Sequence, residues 1–214
     1  MTPYSPLIDN LVDDLRPVPR GWMTRRLAIG LCGGASLSTA LALGLWGIRP
    51  DMAAALNTTS FWAKLAFTGL LAAAGIDAVR QLAQPGTTAP RSGLAAALTV
   101  AAMGVAAALQ LGYAPEVARR SLVLGSTAGS CPWLIMGLAI PILSGGVWAV
   151  RAMAPTRLAK AGCALGFASG AAAAAIYALA CDEVGMPFTM IWYSLGIAVL
   201  TMAGGILGPR LLRW

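Results

Sequence analysis

Residues 27–48 read LAIGLCGGASLSTALALGLWGI, an apolar stretch without a charged side chain, bounded by Arg25 and Arg26 before it and Arg49 after it. A helix rises 1.5 Å per residue, so about 20 apolar residues cross the roughly 30 Å of hydrocarbon in a bilayer. Lipid offers no hydrogen bonds to the backbone, and a helix satisfies its own. The stretch therefore predicts a transmembrane helix. Five more follow, at 61–79, 93–113, 132–151, 157–180 and 187–208. The expected fold is all-α: a polytopic membrane bundle of six transmembrane helices (27–214), preceded by an arm (1–26). Composition agrees, with 58% of the 214 residues hydrophobic and 11% charged, where a soluble domain carries about 25% charged residues. The 25 glycines suit close approach of membrane helices.

Orientation follows from lysine and arginine, which concentrate in cytoplasmic connections. With the N-terminus inside, that face collects Arg16, Arg20, Arg25, Arg26, Arg80, Arg91, Arg151, Arg157, Lys160, Arg210 and Arg213, eleven of the fifteen basic residues. The opposite face keeps Arg49, Lys64, Arg119 and Arg120, and its last loop holds Asp182 and Glu183. The expectation is N-in and C-in, in a bacterial inner membrane. Trp22, Trp46, Trp62, Trp133, Trp148, Trp192 and Trp214 fall at or near span ends, as interfacial anchors do. Residues 1–20 lack the basic start and apolar core of a signal sequence, so the first span is expected to be retained. In the second span, Lys64 and Asp77 lie near opposite ends and are expected to snorkel, Asp77 pairing with Arg80. Pro141 should bend the fourth span, with Ser144, Gly145 and Gly146 beside the bend.

Several chemistries are excluded or disfavoured. The chain has no histidine, which removes Ser-His-Asp and Cys-His catalysis and histidine-ligated metals. The net charge of +7 is spread singly and in pairs between apolar runs, without the aromatic-studded basic face that would suggest direct nucleic-acid binding. A solute or metal transporter would carry polar groups in mid-membrane, and beyond Asp77 and Lys64 few are found. No enzymatic site or resident cofactor is expected.

Residues 5–16 predict a short helix, with Ser5 as N-cap, Pro6 at the first position and Pro17 and Pro19 as the stop. Leu7, Ile8, Leu11, Val12 and Leu15 form an apolar stripe, opposed by Asp9, Asn10, Asp13 and Asp14. So short a helix is marginal alone in water and needs a surface. The aspartates disfavour an anionic leaflet and favour a partner protein whose groove takes the apolar stripe; packing on its own bundle, or disorder, is the alternative.

Four cysteines are present, with no CxxC. Cys32 and Cys163 lie inside the first and fifth spans and read as small buried hydrophobes. Cys131 begins the fourth span and Cys181 ends the fifth, so both belong to the extracytoplasmic surface, where disulfides are permitted. Three readings stay open for that pair. One is a static disulfide. A second is a redox or thiophilic-metal switch, with Asp182 and Glu183 as auxiliary ligands, and it is preferred. The third is a thiol-quinone oxidoreductase, disfavoured by the lack of a second exchanging pair.

Cys131-Pro132-Trp133, RAMAP at 151–155, Tyr177, Cys181 with Glu183, Phe188, IWYSLGI at 191–197, GPRLLRW at 208–214 and the acidic-apolar LIDNLVDDLRPV at 7–18 together resemble the NrsF-type membrane anti-sigma factors. The likeness spans nearly the whole chain. It implies a six-span inner-membrane regulator that holds an extracytoplasmic-function sigma factor inactive at its cytoplasmic face, with two periplasmic cysteines required for the stress response. That role would fall on Cys131 and Cys181, and sigma-factor contact on Leu7, Ile8, Leu11, Asp13, Asp14, Leu15 and Arg16.

Overall fold

The structure, a computed structural model, describes residues 19, 21–84 and 86–213. The arm helix expected at 5–16, with its partner-binding residues, lies outside the described residues. Six helices are long and apolar enough to cross a membrane: Trp22–Leu45, Thr59–Leu82, Pro90–Tyr113, Cys131–Arg151, Leu158–Tyr177 and Met186–Leu211. They are called the first to sixth spans. Two short helices, Met52–Ala55 and Glu116–Leu124, occupy connections that the hydropathy pattern leaves as loop.

The first span starts at Trp22, earlier than the apolar stretch, because helical hydrogen bonding need not stop at a charge. Arg26 is carried on that extra turn, its guanidinium 4.2 Å from the Trp148 ring centroid and 5.4 Å from that of Trp22. Thr58 caps the second span by accepting from the Phe61 N–H, and Pro90 and Pro132 occupy first turns, where no intrahelical donor is lost.

The fifth span is the most enclosed of the six and the third the least. Glycine spacing explains the centre. On the fifth span Gly162 and Gly166 face Gly204, Gly208 and the Leu200 carbonyl of the sixth, so closely that a Cβ at Gly162 or Gly166 would overlap facing backbone. Dispersion and close backbone approach hold membrane helices together, because lipid removes most of the hydrophobic drive between them. A second crossing joins the first and fourth spans, where Gly30 meets Gly145 and Gly34 meets Pro141 and Ile142. Pro141 lacks the N–H its turn needs. There the buried Ser38 hydroxyl donates to the Leu138 carbonyl at 2.6 Å, and Ser144 donates to Ile140 at 2.8 Å.

Contacts sort the connections into two ends. Arg49 reaches Cys181, and Glu183 reaches Ser126, at one end. Arg26 reaches Trp148, and Arg151 reaches Arg213, at the other. That alternation matches six crossings.

Asp77 does not pair with Arg80. Its carboxylate accepts from Gln81 and from Ser92, each at 2.6 Å, because the start of the third span brings a neutral donor closer than the arginine on its own helix. Lys64 does not snorkel: it is 2% exposed. Cys32 is exposed on the outside of the bundle, while Cys163 is half-buried with its sulfur against Gly205. The expectation of burial therefore fails for Cys32, which lies on the side of the first span away from the fourth.

Candidate functional site

The end of the bundle that holds Arg49 and Glu183 also gathers the two cysteines named above. Cys131 opens the fourth span, its N–H donated to the Thr127 carbonyl at 2.9 Å. Cys181 follows the last turn of the fifth span and donates its N–H to the Tyr177 carbonyl at 2.9 Å. The two are 0% and 3% exposed, and both are free thiols. The sequence places this pair at a surface. The structure places it at that end of the bundle but buried, with Arg49 from the first connection and Lys64 from the second span closing on the backbone at Cys181.

Aromatic rings wall the pair. Tyr177 and Tyr193 stand with ring centroids 5.9 Å apart, and Phe188 lies edge-on to Tyr193 at 6.5 Å. The buried Tyr193 hydroxyl makes no hydrogen bond. The sixth span enters this region through a π-helical turn, Thr189–Tyr193. Such turns insert a residue into the helical register and are common at functional sites.

Two cations close the site. From the second span, the Lys64 ammonium donates to the carbonyls of Cys181, at 3.3 Å, and of Glu183. It also lies 5.7 Å from the centroid of the Tyr193 ring. From the connection after the first span, Arg49 donates to the Cys181 carbonyl at 3.3 Å and the Asp182 carbonyl at 3.5 Å. Its fork grips the Asp51 carboxylate through two bonds of 2.6 Å. That bond holds the Asp51 carboxyl below the usual carboxylate range. It raises the guanidinium's own affinity for its proton, against the effect of burial. These carbonyls belong to the extended segment just past the fifth span, outside any helical ladder. Lys64 and Arg49 thus satisfy that segment and fix the backbone at Cys181.

The expected auxiliary ligands divide. Glu183 accepts from the Ser126 N–H at 2.6 Å, the Ser126 hydroxyl at 2.8 Å and the Thr127 hydroxyl at 3.3 Å. Its carboxylate fills the space beside Gly125, whose φ of 52° suits glycine. Asp182 points outward and is exposed. Among the described residues no group of three or more Cys, Asp or Glu side chains is arranged to hold a metal ion. This end of the bundle is tied down further: Gln110 accepts from the Met186 N–H at 2.8 Å, and the Trp192 indole donates to Val123 at 2.9 Å. The sequence alone makes Lys64 a snorkelling lysine and Arg49 one of the few basic residues of the opposite face. An ionisable residue inside a hydrophobic span was the signal available for Lys64; Arg49 gave none.

Residues 11–214 match the protein family described as "Negative regulator of sigma F", NrsF. The chain is similar to the "Anti-sigma-F factor NrsF" of Caulobacter vibrioides (strain NA1000 / CB15N), with 41% identity over 211 residues, 97% of this chain and 98% of that one. It is similar also to the "Probable anti-sigma-F factor NrsF" of Azospira oryzae, with 38% identity over 190 residues and 89% of each chain covered. No solved structure matches.

Proposed function

The chain belongs to the NrsF family of negative regulators of sigma F, and from that premise we propose that it is an inner-membrane anti-sigma factor whose buried cysteine pair controls release of the sigma factor. The observation that carries the reading is the 41% identity to an anti-sigma-F factor over nearly the full length of both chains. Its action is regulatory, not enzymatic. The partner is an extracytoplasmic-function sigma factor, held at the cytoplasmic face. The basic asymmetry of the connections supports N-in and C-in. On the cytoplasmic side, the amphipathic arm supplies Leu7, Ile8, Leu11 and Leu15 to a groove on the partner. Asp13 and Asp14 face that groove's basic rim, and Arg16 joins the contact.

The signal acts at the far end. An oxidant that accepts two electrons joins the sulfurs of Cys131 and Cys181 as both thiol protons leave. A thiophilic ion instead displaces those protons and is held by the two sulfurs as soft donors. The donor set suits a transient signal ion, since Glu183 is already engaged at the 125–127 turn. Either event pulls the start of the fourth span toward the end of the fifth. Those two spans are joined at their opposite ends by the short connection through Ala154 and Pro155, so their relative motion reaches the cytoplasmic face there. Moving a partner from mostly bound to mostly free takes about 5 kcal/mol of differential affinity. A disulfide contributes about 2–4 kcal/mol, so release calls for the coupled motion to loosen contacts as well.

The sigma factor is captured from native membranes by the full chain and by a chain lacking residues 1–16, and the truncated chain is expected to capture none. Equal capture by both would sink the arm. Cys131→Ser and Cys181→Ser are expected to capture normally and to lose release by oxidant or thiophilic ion. Normal release in both variants would remove the cysteine pair from the mechanism.

A further inference from the structure

Between the third span and the fifth and sixth lies a cleft of two adjoining parts, of about 420 Å³ and about 400 Å³. Phe167 and Thr201 belong to both parts, so the cleft runs on from one to the other. Its origin is in the sequence. Ala78, Gly93, Ala96 and Ala164 remove side-chain volume from the facing helices, and the third span, the least enclosed of the six, leaves the gap open. A Cβ at Gly93 would meet nothing within 4 Å. In a bilayer an apolar slot fills with hydrocarbon.

The charge at one end specifies which hydrocarbon. Arg157 and Lys160 line the inner part of the cleft, on the face that the basic asymmetry assigns to the cytoplasm. Both are exposed, and neither takes part in a salt bridge among the described residues. The third and fifth spans begin there, at Pro90 and Leu158, so their unpaired N–H groups and the positive ends of their dipoles add to the two cations. Asp77 stands nearby, but its carboxylate is turned to Gln81 and Ser92. A neutral acyl chain has no use for that charge. An amphiphile with an anionic head has a use for both halves. We infer that this cleft binds one anionic glycerophospholipid of the inner leaflet, with a fatty-acyl chain between the third and fifth spans and its phosphate at Arg157 and Lys160.

Anionic lipid is abundant in the cytoplasmic leaflet and attracts basic residues close to it. The proposal is independent of the cysteine pair. A lipid in this position would brace the connection between the fourth and fifth spans. The full chain, reconstituted in mixed phosphatidylglycerol and phosphatidylcholine and released from mild detergent, is weighed intact by native mass spectrometry. One phosphatidylglycerol is expected to remain in preference to phosphatidylcholine. Arg157→Gln with Lys160→Gln should lower that retention about tenfold. Arg210→Gln with Arg213→Gln, at the same face but outside the cleft, should leave it unchanged. Gly93→Leu, which fills the slot where a Cβ has room, should also expel the lipid while leaving the helical circular dichroism of the chain intact. Equal retention of the two lipids, equal loss in the two double variants, or full retention by Gly93→Leu would overturn the proposal.

Discussion

The two ends of this bundle use positive charge in opposite ways. At the cysteine end Lys64 and Arg49 are buried, 2% and 5% exposed, and are spent on backbone carbonyls of residues 181–183. At the other end Arg25, Arg151, Arg157, Lys160 and Arg210 are exposed, and among the described residues none of them forms a salt bridge. A buried cation surrounded by carbonyls fixes structure, because removing it strands acceptors that water cannot reach. An exposed cation contributes little to stability and is free for lipid or for a partner. The contrast leaves one end with cations locked into the fold and the other with cations left open to solvent.

The largest effect is expected from breaking the seam that the two ends share. Gly166→Val places a branched side chain against the Leu200 carbonyl and Thr201 and should cost about 3 kcal/mol or more, read as a lower unfolding temperature in detergent or nanodiscs. If the variant unfolds like the wild type, the fifth and sixth spans do not cross as described. Lys64→Met keeps the bulk but leaves the Glu183 carbonyl without its donor and the Cys181 carbonyl with Arg49 alone. It should destabilise by about 2–3 kcal/mol, whereas Arg157→Gln should stay within about 0.5 kcal/mol of wild type. Equal costs for these two variants would dissolve the contrast between the ends.

A smaller effect, on access and not on stability, is expected from Asp51→Asn. Without the carboxylate the fork of Arg49 loses its two short bonds, and Cys181 should react severalfold faster with a thiol reagent while the unfolding temperature barely moves. An unchanged labelling rate would show that the Arg49 to Asp51 pair is no latch. Acid should imitate this variant in one direction only. The Asp51 carboxyl is held below its ordinary value of about 3.9. Its pairing is therefore complete at neutral pH and lost as pH falls through the lowered value. Thiol labelling of wild type should approach that of Asp51→Asn only in that acid range.

The spans were legible in the sequence because the bilayer sets one simple requirement, about 20 apolar residues each, and 27–48 met it without interruption. Boundaries shifted by a few residues where helix continued through Arg25 and Arg26. Cys131 and Cys181 could be assigned to one end, since two crossings, an even number, separate them from each other. Their burial could not be read, because it depends on groups far apart in the chain, Arg49, Lys64 and Tyr193 among them, meeting at that end. The same limit explains Asp77: Arg80 is its helical neighbour, but the donors it accepts from include Ser92, brought in by the next span.

By itself the sequence determined the all-helical class, the six spans, the sidedness of charge and the family likeness, all of which follow from local composition or from linear order. Only the tertiary structure decided what the individual charges do. A lysine near a span end has two ways to satisfy its ammonium, by snorkelling to water or by finding carbonyls within the protein. The choice depends on which helix end lies opposite. Here the segment that follows the fifth span lies against Lys64, and the ammonium binds its carbonyls; beside Arg157 and Lys160 the third span stands off, and a cleft remains.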